Sequence, residues 1–168
     1  MRAIVVAFGL AWSISTASAA DQWTPVDDSQ NGFGIDFPAE PATSKSLGSN
    51  KDGHVTPPGA RYMAIDGDLA FAVIISDLRN SPIQPEIALD GAVSGLSGEN
   101  EVVSDANIKI GGHDGRTMTV VDATKSSNAQ IFLANGRLYQ TLVIGPKQPT
   151  PEQKTEIERF NKSLRFSN

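Results

Sequence analysis

The sequence predicts an α+β domain in which a mainly antiparallel sheet is flanked by two helices. Three observations support this class. Several segments alternate between apolar and polar residues, as half-buried strands do. Two pairs of these segments are joined by the short turn sequences Asp66-Gly67 and Asn135-Gly136, which are typical of hairpins and therefore of antiparallel pairing. Two further segments, 86–96 and 151–165, carry apolar residues at helical spacing.

Residues 1–20 have the features of a cleavable signal peptide. Arg2 precedes an uncharged apolar run over residues 3–12, and the segment then turns small and polar. Signal peptidase accepts small side chains at the cleavage site, and cleavage after Ala19 or Ala20 fits the pattern equally well. We therefore expect an exported protein, periplasmic or secreted.

The remaining residues, 21–168, are expected to form a single globular domain. The apolar run over residues 3–12 is too short for a membrane span, which needs about 20 apolar residues. The chain has no cysteine, so it carries neither a lipid anchor nor a disulfide. A hydrophobic core must therefore hold the fold, and no stable membrane insertion is expected once the signal is removed.

The charge of the chain argues against nucleic acid as a partner. The formal net charge is -5, and loss of Arg2 with the signal peptide makes it more negative. Lysines and arginines are scattered along the sequence, so no basic stripe is available to follow a phosphate backbone. The same argument disfavours docking on an anionic membrane surface.

The first half of the domain is predicted to contain a strand and a hairpin. After a short lead-in at 23–26, Phe33, Ile35 and Phe37 alternate on one face of a strand. Residues 39–59 are predicted to be a loop with a weak edge strand at 43–47.

A hairpin follows, with strands at 61–66 and 69–77. The second strand is apolar on both faces, which favours a central strand covered on both sides. The helix predicted at 86–96 contains Gly91 and Gly95, and their spacing suggests a close approach of the helix backbone to the sheet.

The second half is predicted to contain strands at 101–110 and 116–123, separated by a glycine-rich turn at 111–115. A hairpin with strands at 128–134 and 137–144 follows.

The final helix is the most clearly marked element. Thr150 is its predicted N-cap, Pro151 occupies the first helical position, and Gln153 completes a capping box. Apolar residues at helical spacing form its buried stripe; they are Ile157, Phe160 and Leu164.

Five turn and packing motifs, spread over most of the predicted domain, carry a family resemblance. They are Gly32–Pro38, Ala88–Ala92, Gly112–Arg116, Arg137–Gln140 and Phe160–Phe166. Together they resemble small secreted bacterial proteins of the PsbP-like superfamily. The resemblance implies an antiparallel sheet flanked by helices and a role as an accessory or binding module within a larger assembly. It carries over no catalytic residue.

No residue pattern predicts a catalytic, cofactor or metal site. The two histidines, His54 and His113, lie 59 residues apart and outside any ligand-type repeat. His113-Asp114 would need a serine to form a nucleophile system. Ser97 comes nearest to a nucleophile elbow, but Glu99 stands where the second glycine is required. We therefore predict no cofactor.

Three residues are candidate surface contacts: His113, Arg137 and Tyr139. Arg137 and Tyr139 alternate with Leu138 along a strand, which would let them line a groove. The same residue types also occur as an arginine that extends its charged head to the surface and a tyrosine packed in the interior, and this second interpretation is favoured.

Three functional hypotheses follow. The leading one is a non-enzymatic binding or accessory protein of the bacterial cell envelope, with an envelope protein as its partner. Segment 39–59 and any uncovered strand edge are the expected contact regions, because unpaired edge amides accept another strand. The second is a small-ligand carrier with a pocket between sheet and helix. The third is a hydrolase-type enzyme, for which the sequence offers no substrate.

Overall fold

The computed structural model describes residues 23–51 and 54–167. The predicted signal peptide, residues 1–20, lies outside them together with its cleavage residues Ala19 and Ala20. The helices are α1 (Pro85–Ser97) and α2 (Pro151–Lys162). The strands are β1 (Thr24–Asp28), β2 (Phe33–Phe37), β3 (Ala42–Ser46), β4 (Ser49–Lys51), β5 (His54–Thr56), β6 (Gly59–Asp66), β7 (Leu69–Asp77), β8 (Glu101–Ile110), β9 (His113–Val121), β10 (Lys125–Ala134), β11 (Arg137–Pro146) and β12 (Arg165–Phe166).

The centre of the molecule is a seven-stranded sheet with the order β3-β6-β7-β11-β10-β9-β8. Every neighbouring pair in it is antiparallel. A small sheet with the order β1-β2-β12 and a hairpin of β4 and β5 complete the strands of the described residues. The predicted α+β class, an antiparallel sheet flanked by two helices, is confirmed.

One face of the large sheet is covered by the small sheet and by α2. The three apolar residues of β2 are buried there, and so is Phe160 of α2. Phe160 meets Phe37 and Phe71 edge-to-face, with 5.2 Å between ring centroids in both pairs. Such pairs contribute about 0.5–1.5 kcal/mol beyond the burial of their surface. Phe160 therefore joins the helix, the small sheet and the large sheet in one cluster.

The turn between β1 and β2 is held by side chains of the large sheet. The Tyr62 hydroxyl donates to the Asp28 carboxylate. The Arg137 guanidinium donates to the Gln30 carbonyl at 2.9 Å, and the Tyr139 hydroxyl donates to the Asn31 carbonyl at 2.6 Å. Three polar groups from two strands thus fix the small sheet against the large one.

The opposite face of the large sheet is covered by α1. The helix packs over a buried apolar cluster that includes Met118, Val120, Ile131 and Leu138. These residues belong to β9, β10 and β11, at one side of the sheet. None of the residues of α1 is itself fully buried. The helix therefore covers only part of this face, and among the described residues no other layer lies above much of β6 and β7.

The structure confirms the main predicted elements. Both hairpins form, and Asn135 and Gly136 adopt positive φ angles of 51° and 71°, as their turn requires. Helix α2 begins with the predicted capping box between Thr150 and Gln153. The edge strand expected at 43–47 is β3.

Three predicted segments differ from the structure. The prediction that residues 23–26 are a short lead-in is wrong, because residues from 24 onward form β1, which pairs with β2. The turn at 111–115 is shorter than predicted: Gly111 and Gly112 alone take positive φ angles, and His113 already starts β9. The 39–59 segment is more ordered than a loop, because β4 and β5 pair within it.

The expected packing of α1 glycines against the sheet is also wrong. A Cβ atom added at Gly91 or Gly95 would meet nothing within 4 Å, so neither glycine permits a close contact within the described chain. A glycine within a helix costs about 1 kcal/mol relative to alanine. Nor is β7 covered on both sides as predicted, because Ile74 remains partly exposed on the face that α1 leaves open.

Phe160→Ala is expected to destabilise the protein by about 3–5 kcal/mol, because it removes the ring that joins the three layers and leaves a cavity. Urea unfolding followed by circular dichroism measures the loss. Ile87→Ala, a truncation of an exposed side chain on α1, should change stability by less than about 0.5 kcal/mol. Equal effects of the two substitutions would contradict this description of the core.

Candidate functional site

The uncovered part of the sheet forms an apolar groove beside α1. We call it the α1-side groove. Two adjoining cavities of about 230 and 400 Å³ make it up, and both are lined by Ile74, Leu142 and Ile144. Its other lining residues include Arg61, Met63, Ala70 and Ala72 of the sheet and Ala92, Gly95 and Leu96 of α1. Four uncharged polar residues also line the larger cavity; they are Asn100, Ser127, Gln140 and Thr141.

The strand register explains the shape of the groove. Ala72 of β7 lies between Met63 of β6 and Leu142 of β11. One step along, Ala70 lies between Ile65 and Ile144. Small side chains thus form the floor of the groove and large apolar side chains form its walls.

Large apolar side chains of this surface are open to solvent. Met63 is 41% exposed and Ile65, at the rim, is 70% exposed. Single exposed apolar side chains are ordinary on protein surfaces. Here Met63 lines one groove with Ile74, Leu142 and Ile144, and Ile65 flanks it as the cross-strand neighbour of Ala70. Contiguous apolar patches mark sites of interaction.

A single cation stands at one end of the groove. Within the described ranges, Arg61 is the one charged side chain that lines it, and no carboxylate of those residues lies within ion-pair distance of Arg61. Its cross-strand neighbours on this face are Ile74 of β7 and Ser44 of β3. The groove therefore offers an apolar channel ending in a free guanidinium.

A second, more polar depression lies on the opposite face, between α2 and the ends of β8, β9 and β10. We call it the polar groove; its volume is about 820 Å³. Its floor includes Thr119, whose hydroxyl donates to the Asn128 side-chain oxygen at 3.0 Å. Charged residues surround it; they are Glu101, Lys147, Lys154 and Glu158. Glu158 is paired with Lys162 at 2.9 Å.

The structure does not assemble a nucleophile system around His113. Its ring packs edge-to-face against Phe166, with 5.2 Å between centroids, and lines a shallow cavity of about 470 Å³. Asp114 forms an exposed ion pair with Lys109 at 3.0 Å. Ser97 lies at the end of α1, does not line this cavity, and donates to the Val93 carbonyl at 2.6 Å. In residues 23–51 and 54–167, no group of three or more His, Asp or Glu side chains is placed to hold a metal ion.

Arg137 and Tyr139 are interior residues, which corrects the prediction that they are surface contacts. Tyr139 is fully buried and Arg137 is only 7% exposed. Both point to the β1–β2 turn, where their polar ends meet backbone carbonyls. The favoured interpretation is confirmed for Tyr139, which is packed in the interior, and is wrong for Arg137, whose guanidinium is buried against the Gln30 carbonyl and does not extend to the surface. His113 is partly exposed and remains a candidate contact.

Asp77 supports the buried arginine. The Arg137 Nε atom lies 3.9 Å from an Asp77 carboxylate oxygen. The Arg79 guanidinium also binds this carboxylate, with its Nε atom donating at 2.9 Å. Hydrogen bonds from Arg79 are the largest cause that lowers the pKa of Asp77, to about 2.

The two edges of the large sheet are formed by β3 and β8. All five residues of β3 are exposed. The ten-residue strand β8 carries a bulge between Val102 and Ser104, and Asp105 forms an ion pair with Arg116 of the neighbouring strand. Bulges and charges of this kind are devices that protect an edge from further strand pairing. The β8 edge therefore competes poorly with the apolar groove as a contact surface.

The arrangement of these layers is similar to that of known structures. The solution structure of cyanobacterial PsbP (CyanoP) from Synechocystis sp. PCC 6803 aligns with a TM-score of 0.59 and 12% sequence identity, over 94% of this chain and 98% of that one. The fold is PsbP-like. A protein of unknown function from Pseudomonas aeruginosa aligns with a TM-score of 0.50 and 7% identity, over 87% of this chain and 98% of that one.

The PsbP-like resemblance predicted from the sequence is thus confirmed at the level of the fold. No protein-family model and no curated protein sequence matches the chain. No helix of the described residues is long and apolar enough to cross a membrane. The likeness to solved structures concerns the backbone arrangement, and the grooves described above are properties of this chain's own side chains.

Asp77→Asn is expected to destabilise the protein at pH 7, by about 1 kcal/mol or less, as for other partly exposed ion pairs. Because the folded-state pKa of Asp77 is lowered to about 2, its contribution is present above the unfolded pKa, near 4, and is lost as the pH falls towards 2. Urea unfolding at pH 7, 4 and 2 should therefore show a difference between variant and parent that shrinks with acid. A difference that stays constant over this range would contradict the assignment.

Proposed function

We propose that this chain is an exported, non-enzymatic accessory protein of the bacterial cell envelope that binds a partner protein through the α1-side groove. One observation carries the proposal: within residues 23–51 and 54–167, nothing covers the apolar sheet face beside α1, and this face is continuous with the flank of the helix. The PsbP-like fold is consistent with a binding module, and the signal-peptide features of residues 1–20 support export.

The energetics favour a partner for this surface. Burying apolar surface releases about 25 cal/mol per Å². Met63 and Ile65 are well exposed, while their cross-strand neighbours already form a flat apolar floor that need not rearrange on binding. A partner that covers this floor gains burial at little conformational cost, because strands within a paired sheet are preorganised.

The shape of the groove favours a macromolecule over a small ligand. The side of β6 that faces the groove runs from Arg61 to Ile65, about 13 Å at roughly 3.3 Å per residue. Its two cavities are shallow extensions of an exposed face, with the most exposed side chain, Ile65, at the rim. Small-molecule sites instead enclose most of the surface of their ligand.

Site-specific photo-crosslinking tests this proposal in cells that make the protein naturally. A photoreactive residue at Ile65 should yield a protein adduct of defined mass, because Ile65 stands at the rim of the groove. The matched control is Ile87, which is similarly exposed, at 60%, but lies on α1, whereas Ile65 is the cross-strand neighbour of the lining residue Ala70. Adducts at Ile65 that are absent at Ile87 support the proposal. Absence of any adduct at Ile65, or equal patterns at both positions, would overturn it.

The polar groove supports a second candidate, a carrier of a small anionic ligand held between sheet and helix. Lys147 and Lys154 lie there without a carboxylate partner among the described residues, above hydrogen-bonding side chains of the floor. The negative charge of Glu101 at the rim would repel a strongly charged anion. The polar groove therefore favours a ligand with a single negative group.

A thermal-shift screen of small carboxylates and phosphate esters tests this second function. A ligand at about 100 times its dissociation constant should stabilise the protein by about 2.7 kcal/mol. Lys154→Gln should remove the shift, whereas Lys109→Gln, a change at an exposed lysine of β8, should retain it. A shift that survives Lys154→Gln would place the ligand elsewhere.

A further inference from the structure

We infer that the occupant of the α1-side groove is an amphipathic helix of the partner protein, packed beside α1 and carrying a carboxylate that meets Arg61. This inference rests on the proposed function and specifies the kind of partner. It follows from the backbone pairing beneath the groove, the width of the uncovered sheet, the position of Gly95 and the unpaired charge of Arg61.

The backbone pairing beneath the groove excludes an added strand. The groove lies over β6, β7 and β11, and each of these strands is paired on both sides. Their backbone amides and carbonyls are therefore already used in the sheet. A segment that docks on this face must satisfy its own backbone hydrogen bonds. A helix does so internally, and helix-in-groove recognition is the corresponding mode of docking.

The uncovered width suits one helix. Helix α1 packs over β9, β10 and part of β11, and β7, β6 and the edge strand β3 lie beyond it. Three strands at about 4.8 Å spacing span roughly 14 Å. A helix with its side chains is about 10–12 Å across, so one helix alongside α1 would complete the layer.

Gly95 makes the flank of α1 suitable for close helix packing. It lines the groove together with Ala92, and a side chain at this position would meet nothing in the described chain. The glycine therefore weakens α1 without serving the packing of this protein. A partner helix packed closely against α1 would explain a glycine at position 95, because small residues let two helix backbones come near each other.

The apolar floor of the groove and the charge of Arg61 indicate which side chains the partner helix presents. Successive cross-strand pairs on this face, such as Met63 with Ala72 and Ile65 with Ala70, recur about every 6.6 Å. Apolar side chains three or four residues apart on a helix are spaced similarly, at about 5–6 Å. An aspartate or glutamate at the end of that stripe would pair with the guanidinium of Arg61.

Crosslinking from Ile65, followed by sequencing of the crosslinked partner peptide by mass spectrometry, tests the inference. The peptide should carry apolar residues at helical spacing and an acidic residue. Three other outcomes would overturn the inference: a peptide with strand-type alternation, a second copy of this chain, or this chain's own residues 1–22. Either of the first two outcomes would still be consistent with a protein partner and would contradict only the helical occupant. Complete absence of adducts would contradict the proposed function itself.

Matched variants separate docking from folding. Gly95→Leu fills the groove and should lower the adduct yield about tenfold, as a loss of fit in a packed contact does. Ser94→Leu adds the same side chain at the neighbouring exposed position, which does not line the groove, and should leave the yield within about twofold. Both substitutions favour the helix, so both variants should melt no lower than the parent. Equal yields from the two variants would overturn the inference.

Charge variants test the role of Arg61 in the same assay. Arg61→Glu should lower the adduct yield about tenfold because it sets two carboxylates against each other, and Arg61→Lys should retain most of it. Unchanged yield with Arg61→Glu would exclude the predicted acidic residue.

Discussion

The structure depends on covering the two apolar faces of one seven-stranded sheet. A sheet with apolar faces is stable in water only when another layer buries them. The small sheet and α2 cover one face, and their contact with it is centred on Phe160. The single helix α1 covers part of the other. The α1-side groove is the remainder of that second face, and so the proposed site arises directly from the architecture.

The two faces are organised differently. On the covered face, aromatic rings interlock and the polar ends of Tyr62, Arg137 and Tyr139 hold the β1–β2 turn. On the open face, Ala70 and Ala72 of β7 and Gly95 of α1 leave a low floor between large apolar side chains. Interlocking side chains stabilise a fold, whereas such a groove leaves room for another element.

Local signals in the sequence account for most of the elements. The Asn135-Gly136 turn and the Thr150–Gln153 capping box act over a few residues, and both form as predicted. Short strands such as β1 and β12 lack such signals, because they exist only through pairing with β2. The interior position of Arg137 and Tyr139 also depends on partners more than a hundred residues away in the chain, at Gln30 and Asn31.

The groove could not be predicted from the sequence, for the same reason. The alternation of β7 shows that both of its faces are apolar, and from this pattern we expected a strand covered on both sides. Which strands lie under α1 is decided by the sheet order, a non-local property. One residue of the groove does carry a local signal: Gly95, whose cost to the helix has no compensation within the described chain.

The central claim, that this half of the sheet face is open in the isolated protein, is tested most directly by NMR of the methyl groups with a soluble paramagnetic agent. The account predicts that the methyl groups of Met63 and Ile65 relax nearly as fast as that of the exposed Ile87, and much faster than that of the buried Ile35. Relaxation of Met63 and Ile65 as slow as that of Ile35 would mean that the groove is already covered, and would contradict the account.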